Sequence, residues 1–312
     1  MPSPRERHLG CVPTGKRPSL ANTSCEGGYG GLTPPRKLEY LLQERRSIDT
    51  TNTSATCRAS PIAFVGIGKT GSLFVQAALE LFAHDQLLPT VNQTPASRPC
   101  AVGARMGWHH ASAQLWRRAF DTAWLDAYTF AVVRDPWARL VSHWTFHLVD
   151  GSARRNPLDG GYLTDAQRQA ARANENVSIA HFRSWVHHTR RVIPPDAADA
   201  WRFTTCNPHG NEQSRGFNAS QLSWLVDEAG LLLVDDVFRL EDLERRWPEL
   251  QRRVCGLKTY RDTISNPILR ALDHSSGHAP YEAYFDAETS AIVAEYMEPD
   301  IRTFGYEPPV LS

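Results

Sequence analysis

The chain has 312 residues, and its 34 lysines and arginines balance 34 aspartates and glutamates, so its formal net charge is zero. This length allows one α/β domain with a long tail, while the neutral balance argues against a nucleic-acid partner, which would require a large basic excess. No apolar run approaches the length of a membrane span, and the N-terminus lacks the pattern of a signal peptide, so we expect no membrane span in this chain.

The first sixty residues differ in composition from the rest of the chain. Residues 1–60 are rich in Pro, Gly, Ser, Thr and Arg and have no sustained periodicity. This composition predicts a mostly disordered arm with one short helix near KLEYLLQERR. We expect the folded domain to span residues 61–312.

The folded domain begins with a predicted buried strand, PIAFVG, which runs into the glycine-rich stretch GKTGS and then into a helix. The apolar face of this helix comprises Phe74, Ala77, Ala78, Leu81 and Phe82. Gly68, Lys69 and Thr70 match the end of the phosphate-binding motif G-x-x-x-x-G-K-[ST], although the first glycine of that motif would fall on Ala63. Glycines let the backbone bend round a phosphate, while helix-end N–H groups and hydroxyls donate to it. The stretch therefore predicts an anion site comprising Gly68, Lys69, Thr70, Gly71 and Ser72.

Two adjacent histidines, His109 and His110, follow in the segment HHASA. A neutral histidine can accept a proton from a hydroxyl near pH 7. Either residue is therefore a candidate general base.

A second buried strand is predicted at residues 127–134, followed by a helix that begins at Asp135 and Pro136, a capping residue and a proline at the first helical position. The buried stripe of this helix comprises Trp137, Leu140, Val141, Trp144 and Leu148. Arg139 and Ser142 fall on the opposite side. Arg134 at the strand end and Ser142 on the helix form a candidate clamp for a second phosphate.

The remaining elements continue the alternation of strands and helices. Residues 150–200 are predicted to be an insertion over the sheet edge, with a short helix around AHFRSWVHH. GLLLVDD, residues 230–236, predicts a third buried strand, with Asp235 and Asp236 at its polar end, and helices are predicted after it and at about 286–303. The order indicates an α/β fold of the P-loop-like, three-layer type, with a central parallel sheet flanked by helices.

Several of these segments together resemble a known enzyme family. GKTGS, followed about 65 residues later by RDPWARLVSHW, is similar to the two-part binding signature of sulfotransferases that use 3′-phosphoadenosine 5′-phosphosulfate, particularly the Golgi carbohydrate sulfotransferases. The segments HHASA, FNASQLSWLVDEAGLLLVDDVFRLEDLERRW and YEAYFDAETSAIVAEYMEPDIRTFGYE continue the resemblance, which spans about residues 61–307.

The resemblance implies a role for each predicted site residue. Lys69, Thr70, Gly71 and Ser72 would hold the 5′-phosphosulfate, while Arg134 and Ser142 would hold the 3′-phosphate. Lys69 would also stabilise the bridging oxygen during transfer, and His110, with His109 as the second choice, would deprotonate the acceptor. The implied donor needs no metal, and the implied acceptor is a carbohydrate hydroxyl in the Golgi lumen.

This chain departs from the family pattern in the phosphate loop. Gly68 stands where the family usually has proline, and Leu73 stands where a hydroxyl residue is often found. The first change would loosen the loop and the second removes a phosphate donor. The chain could therefore also be a catalytically inactive nucleotide-binding module of the same fold.

Two further functions are suggested by individual residue pairs. A P-loop kinase or NTPase is suggested by the acid pair Asp235 and Asp236 after an apolar strand, but the missing first glycine and RDPWARLVS argue against it. A metal enzyme is suggested by His143 and His147, which have the i, i+4 spacing of metal ligands, but no third ligand has a matching spacing.

The cysteines and the N-glycosylation triplets give information on the cellular compartment of the protein. The six cysteines have no CxxC spacing, so a zinc ribbon has no support and any disulfide bridges cannot be assigned. N-x-[ST] triplets begin at Asn22, Asn52, Asn92, Asn176 and Asn218. Their number favours a secretory lumen and a glycoprotein.

Overall fold

The structure is a computed structural model that describes residues 60–88, 112–149, 162–192, 220–270 and 277–311. The predicted N-terminal arm therefore lies outside the described residues, apart from residue 60. The boundaries predicted for the arm, the domain and the insertion stay predictions.

A parallel sheet of three strands lies at the centre of the described fold, in the order β1-β2-β3. The strands are β1 Ile62–Val65, β2 Tyr128–Val133 and β3 Asp236–Arg239. Phe64 pairs with Phe130, which in turn pairs with Asp236. The first two strands confirm the predicted ones to within two residues at each end.

The third strand begins where the predicted strand ends. Gly230, with φ 79°, and Asp227 instead form a tight turn, in which the Asp227 carboxylate accepts the N–H groups of Ala229 and Leu231. The apolar run then folds back, so that the Leu233 N–H donates to the carbonyl of Leu225. The prediction of a strand at 230–236 is wrong because this local turn diverts the run before it reaches the sheet.

Helices cover both faces of the sheet. In chain order they are α1 Ser72–Phe82, α2 Ala113–Phe120, α3 Thr122–Asp126, α4 Pro136–His143, α5 Asp165–Ala173, α6 Glu175–Val192, α7 Leu243–Arg253, α8 Tyr260–Ser265, α9 Pro267–Arg270, α10 Ala287–Tyr296 and α11 Glu298–Phe304. Short turns of 3₁₀-helix occur at His84–Gln86, Gln221–Trp224, Leu240–Asp242 and Tyr281–Tyr284, and a π-helical turn follows α4 at Trp144–Val149.

Alternate strand residues feed two separate cores, as the period of a β-strand requires. Phe64 and Phe130 point into the core built with α1, α7 and α9. Val65 and Val133 point into the core built with α2, α4, α6 and α10. The structure therefore confirms the three-layer α/β fold with helices on both faces.

Residues 162–192 contain two helices, α5 and α6, and α6 is longer than the short helix predicted there. Phe182 and Trp185 of α6 are fully buried, and their ring centroids lie 5.8 and 5.4 Å from that of Trp144. This segment thus contributes to the main core through large aromatic side chains.

The predicted C-terminal helix is divided into α10 and α11 at Met297. Pro299 explains the division. It has no backbone N–H, so in a continuous helix it could not donate to the backbone carbonyl of Glu295 four residues earlier. In the first turn of a new helix it is well tolerated. None of the helices in the described ranges combines the length and apolar character that a bilayer crossing needs.

Candidate active site

The carboxyl ends of the three strands meet at one edge of the sheet, and the segments that follow them contact one another. The Arg134 guanidinium, after β2, donates to the carbonyl of Lys69, after β1, at 3.3 Å. Asp135 donates its N–H to the Glu241 carboxylate, after β3, at 2.8 Å. In a parallel sheet of this kind, ligands bind at this edge.

The loop after β1 is bent sharply round its own backbone. Lys69 and Gly71 both have left-handed dihedrals, with φ of 65° and 74°. The left-handed conformation at residue 71 favours glycine, and a Cβ there would lie 2.9 Å from a methyl of Leu240, so that side chain would have to shift. The Thr70 hydroxyl donates to the carbonyl of Ile67 at 2.8 Å, and in this structure it therefore shapes the loop.

Helix α1 begins directly after this loop, at the buried Ser72. The first N–H groups of a helix lack intrahelical partners, and the helix dipole places partial positive charge there. The loop and the helix start therefore have the arrangement of backbone N–H groups that is typical of anion sites. Leu73, in this first turn, is 48% exposed and offers an aliphatic side chain where a hydroxyl would donate.

The Lys69 ammonium lies over the ring of Phe146, 4.0 Å from its centroid. Phe146 belongs to the π-helical turn after α4 and follows Ser142 by four residues. A cation over an aromatic face is held electrostatically. Phe146 therefore holds the lysine head group beside the segment that carries Ser142.

The backbone of Arg134 is held from both sides by one amide. Arg134 donates its N–H to Gln221 Oε1 at 2.9 Å, and Gln221 Nε2 donates to the Arg134 carbonyl at 2.8 Å. Burial lowers the pKa of Arg134, and the charges of Glu241 and Asp135 oppose that shift. An arginine stays protonated in proteins, so this strand end presents a fixed cation.

Helix α4 is buried on all sides, which corrects the expectation that only one stripe would be buried. Arg139 and Ser142, opposite that stripe, are 5% and 4% exposed. Arg139 donates through Nε to the Gly68 carbonyl at 3.0 Å and lies over the Trp224 ring at 5.7 Å. No role was predicted for Arg139 from the sequence, although its place off the apolar stripe of RDPWAR was a usable signal.

Two tyrosines interact with charged groups at this edge of the sheet. The Tyr306 hydroxyl donates to Glu241 at 3.3 Å, and its ring lies 4.3 Å from the Arg239 guanidinium carbon. Burial, followed by the charge of Glu241, raises the pKa of Tyr306. Burial, followed by the charge of Asp135, raises the pKa of Tyr281 to about 12. Both hydroxyls therefore stay protonated at neutral pH and can act as donors.

The structure places most of the predicted binding residues at this edge. Those in the loop, at the helix start and at the end of β2 are Gly68, Lys69, Thr70, Gly71, Ser72 and Arg134. Ser142 lies on α4, three residues after Arg139. His109 and His110 lie outside the described residues, so the proposed general base stays a prediction.

The acid pair that suggested a kinase lies at the opposite edge of the sheet. Asp236 is the first residue of β3 and accepts a hydrogen bond from the Tyr128 hydroxyl at 2.9 Å. Asp235 accepts the N–H and the hydroxyl of Thr129 at 2.8 and 2.9 Å. Both carboxylates therefore lie at the amino ends of the strands, away from the phosphate loop.

The histidine pair that suggested a metal site gains no third ligand from the described part of the structure. His143 is buried, and its ring stacks on that of Trp185 at 6.2 Å between centroids. The His147 side chain lies outside the described residues. Within the described ranges, no group of three or more His, Cys, Asp or Glu side chains is arranged to hold a metal.

The family model that matches this chain is described as the sulfotransferase family, and the match covers residues 52–307. No curated protein and no solved structure gives a significant match. The matched range includes every residue of the sheet edge described above.

Proposed function

The chain belongs to the sulfotransferase family, and from this premise we propose that it transfers a sulfuryl group from 3′-phosphoadenosine 5′-phosphosulfate to a hydroxyl of a carbohydrate. The observation that carries the proposal is the direct contact between two cationic strand ends, Arg134 and the Lys69 loop, at 3.3 Å. A donor with phosphate groups on both its 3′ and 5′ oxygens needs two such neighbouring sites.

The loop after β1 suits a donor that ends in a sulfuryl group. Such a donor has no γ-phosphate to enclose, so the missing first glycine has no consequence, and Ala63 lies buried inside β1. The backbone N–H groups at the start of α1, together with Ser72, would hold the 5′-phosphosulfate. Lys69 would stabilise the negative charge that develops on the oxygen bridging sulfur and phosphorus.

Arg134 and Ser142 would hold the 3′-phosphate. A charge-assisted hydrogen bond from a guanidinium to phosphate contributes about 1.5–3 kcal/mol. Arg134 is well suited to this role because its backbone is fixed by Gln221 at both its N–H and its carbonyl.

The proposed chemistry is a single in-line displacement. The acceptor hydroxyl oxygen forms a bond to sulfur while the bond from sulfur to the bridging oxygen breaks, and that oxygen keeps the electron pair. The acceptor's proton passes to His110, or to His109 as the second choice. The resemblance in HHASA supports this assignment.

The Golgi lumen is the proposed compartment. Cys255 is disulfide-bonded, and structural disulfides are typical of oxidising compartments. Among the glycosylation triplets, Asn176 is exposed on α6, but the hydroxyl of its partner Ser178 is buried and accepts a hydrogen bond from Trp144 at 3.1 Å. Asn176 is therefore a poor acceptor in the folded chain, and the disulfide is the stronger support.

Calorimetry in the presence of a chelator tests the donor. We expect 3′-phosphoadenosine 5′-phosphate to bind without metal and far more tightly than ATP. Equal or tighter binding of magnesium-ATP would contradict the proposal and favour a P-loop kinase or NTPase.

Incubation with radiolabelled donor and a panel of desulfated glycans tests the acceptor. Transfer to at least one glycan is the expected result. Donor binding with no transfer to any hydroxyl acceptor would identify an inactive nucleotide-binding module, which the exposed Leu73 in the first turn of α1 would favour.

A further inference from the structure

We propose that Asp300, acting through Gln221, is a positioning residue that fixes Arg134 for the 3′-phosphate of the donor. This inference rests on the proposed function and adds two residues to its site. Neither belongs to the loop or to the helix that the sequence pattern assigns to phosphate binding.

Arg134 lies just beyond the paired part of the sheet. β1 last pairs with β2 at Ala131, and β3 last pairs with it at Val133. Gln221 takes the place of a strand at the next residue, because its amide exchanges two hydrogen bonds, of 2.9 and 2.8 Å, with the backbone of Arg134. The side-chain amide thus extends the hydrogen bonding of β2 by one residue.

Asp300 fixes the orientation of that amide. Asp300 accepts from Gln221 Nε2 at 3.2 Å and from the Gln221 backbone N–H at 2.8 Å, both through Oδ2. A carboxylate oxygen can only accept a hydrogen bond, so the NH₂ group of the Gln221 amide, rather than its oxygen, faces Asp300. The second proton of that NH₂ then donates to the Arg134 carbonyl, and Oε1 is left to accept the Arg134 N–H.

Both oxygens of the buried Asp300 carboxylate accept hydrogen bonds. Asp300 and Gln221 are both 0% exposed. The other oxygen of Asp300 accepts the Ser220 hydroxyl at 2.5 Å and the Leu222 N–H at 2.9 Å. Burial raises the pKa of Asp300, while these bonds and the charge of Arg139 act in the opposite direction. A fully satisfied network of this kind is rigid, whereas a broken one leaves buried groups unpaired.

Arg139 relates this network to the other proposed phosphate site. Arg139, whose charge acts on Asp300, donates to the Gly68 carbonyl at 3.0 Å. Asp300 hydrogen-bonds directly to Gln221, whereas Arg139 acts on it through charge, so replacing Asp300 should disturb the Arg134 site more than the loop. The Asp300 carboxylate accepts hydrogen bonds from Ser220, Gln221 and Leu222, none of which is proposed to touch the donor.

The test compares two probes, 3′-phosphoadenosine 5′-phosphate and adenosine 5′-phosphate, on the full chain. The measured quantity is the ratio of their dissociation constants, which isolates the 3′-phosphate. Arg134→Ala, the reference, should reduce the preference for the first probe by about 10- to 100-fold. Gln221→Leu and Asp300→Asn should each reduce it by about tenfold or more while affinity for adenosine 5′-phosphate changes little.

Ser220→Ala is the matched control, because it removes a hydrogen bond to the same carboxylate but leaves the contacts from Asp300 to Gln221 intact. It should keep the wild-type ratio. If Gln221→Leu does not fold, Gln221→Met keeps the length of the side chain but can neither donate to the Arg134 carbonyl nor accept its N–H, so it should show the same loss.

The inference is overturned if a folded Gln221 variant keeps the wild-type ratio, or if it loses affinity equally for both probes, as a purely structural role predicts. Wild-type protein that has no preference for the 3′-phosphorylated probe would overturn the proposed function itself. The two failures are therefore distinguishable.

Discussion

Lys69 and His110 are assigned different parts of the proposed reaction, and alanine variants should separate them. His110→Ala should keep donor affinity, because the base faces the acceptor, and should lose roughly a hundredfold or more in rate. Lys69→Ala should lose both rate and donor affinity, because the same ammonium meets phosphate charge in the ground state and in the transition state. Steady-state kinetics and calorimetry measure the two effects.

Lys258→Ala is the matched control for the lost positive charge, since Lys258 is exposed beyond α7. It should leave both quantities unchanged. Wild-type turnover in His110→Ala with an inactive His109→Ala would move the base by one residue. Full activity in both histidine variants would remove this pair from the mechanism.

At the level of secondary-structure elements, helix α10 depends on a reciprocal cap at its start. The Asp286 carboxylate accepts the N–H of Thr289 at 2.8 Å, while the Thr289 hydroxyl accepts the N–H of Asp286 at 3.0 Å. Asp286→Ala should therefore lower the free energy of unfolding by about 1 kcal/mol at neutral pH. Urea denaturation measures the difference.

The same cap predicts a pH dependence with a definite sign. Burial raises the pKa of Asp286, but the hydrogen bonds from Thr289 and the charge of Arg183 outweigh it, so the pKa in the folded protein is lowered. The stabilisation is present above the unfolded pKa of about 3.9 and is lost as the pH falls through the folded value. The deficit of Asp286→Ala should therefore shrink in acid.

Asp286→Asn is the control for this effect. It keeps an oxygen that can accept the Thr289 N–H but cannot titrate, so most of the stability at neutral pH should remain. A deficit of Asp286→Ala that is equal at neutral and acid pH would show that the charge of Asp286 does not contribute.

At the level of the whole molecule, the disulfide at Cys255 should contribute measurably to stability. The backbone of Cys255 is held by the Gln86 amide through bonds of 3.0 and 2.6 Å. The next residue, Gly256, packs so closely that an added Cβ would lie 2.8 Å from the Phe82 carbonyl. The disulfide is therefore attached where the chain after the C-terminal end of α7 packs against the C-terminal end of α1.

Reduction should lower the free energy of unfolding by about 2–4 kcal/mol, because the bridge restricts the unfolded chain. Denaturation with and without reductant measures this change, and Cys255→Ser should respond less to reductant than the wild type. The prediction fails if alkylation in denaturant without reductant modifies all six cysteines.

The elements that the sequence alone determined are those with strong local signals. β1, β2 and the start of α4 were predictable because unbroken apolar runs, a capping aspartate and a following proline act within a few residues. The phosphate loop was predictable for the same reason, since its glycines, lysine and hydroxyl residues lie within the five consecutive residues GKTGS.

Only the tertiary structure decided the features that depend on distant partners. An apolar run such as residues 231–234 looks the same whether it enters the sheet or folds back after a turn, so the third strand was misplaced. The burial of the polar face of α4 was not predictable. An amphipathic pattern predicts that the polar face is exposed to solvent, and it does not show that other segments cover that face. Gln221 and Asp300 lie in segments that resemble the family, but their contacts could not be predicted, since the amide binds a backbone and the carboxylate lies 79 residues further along the chain.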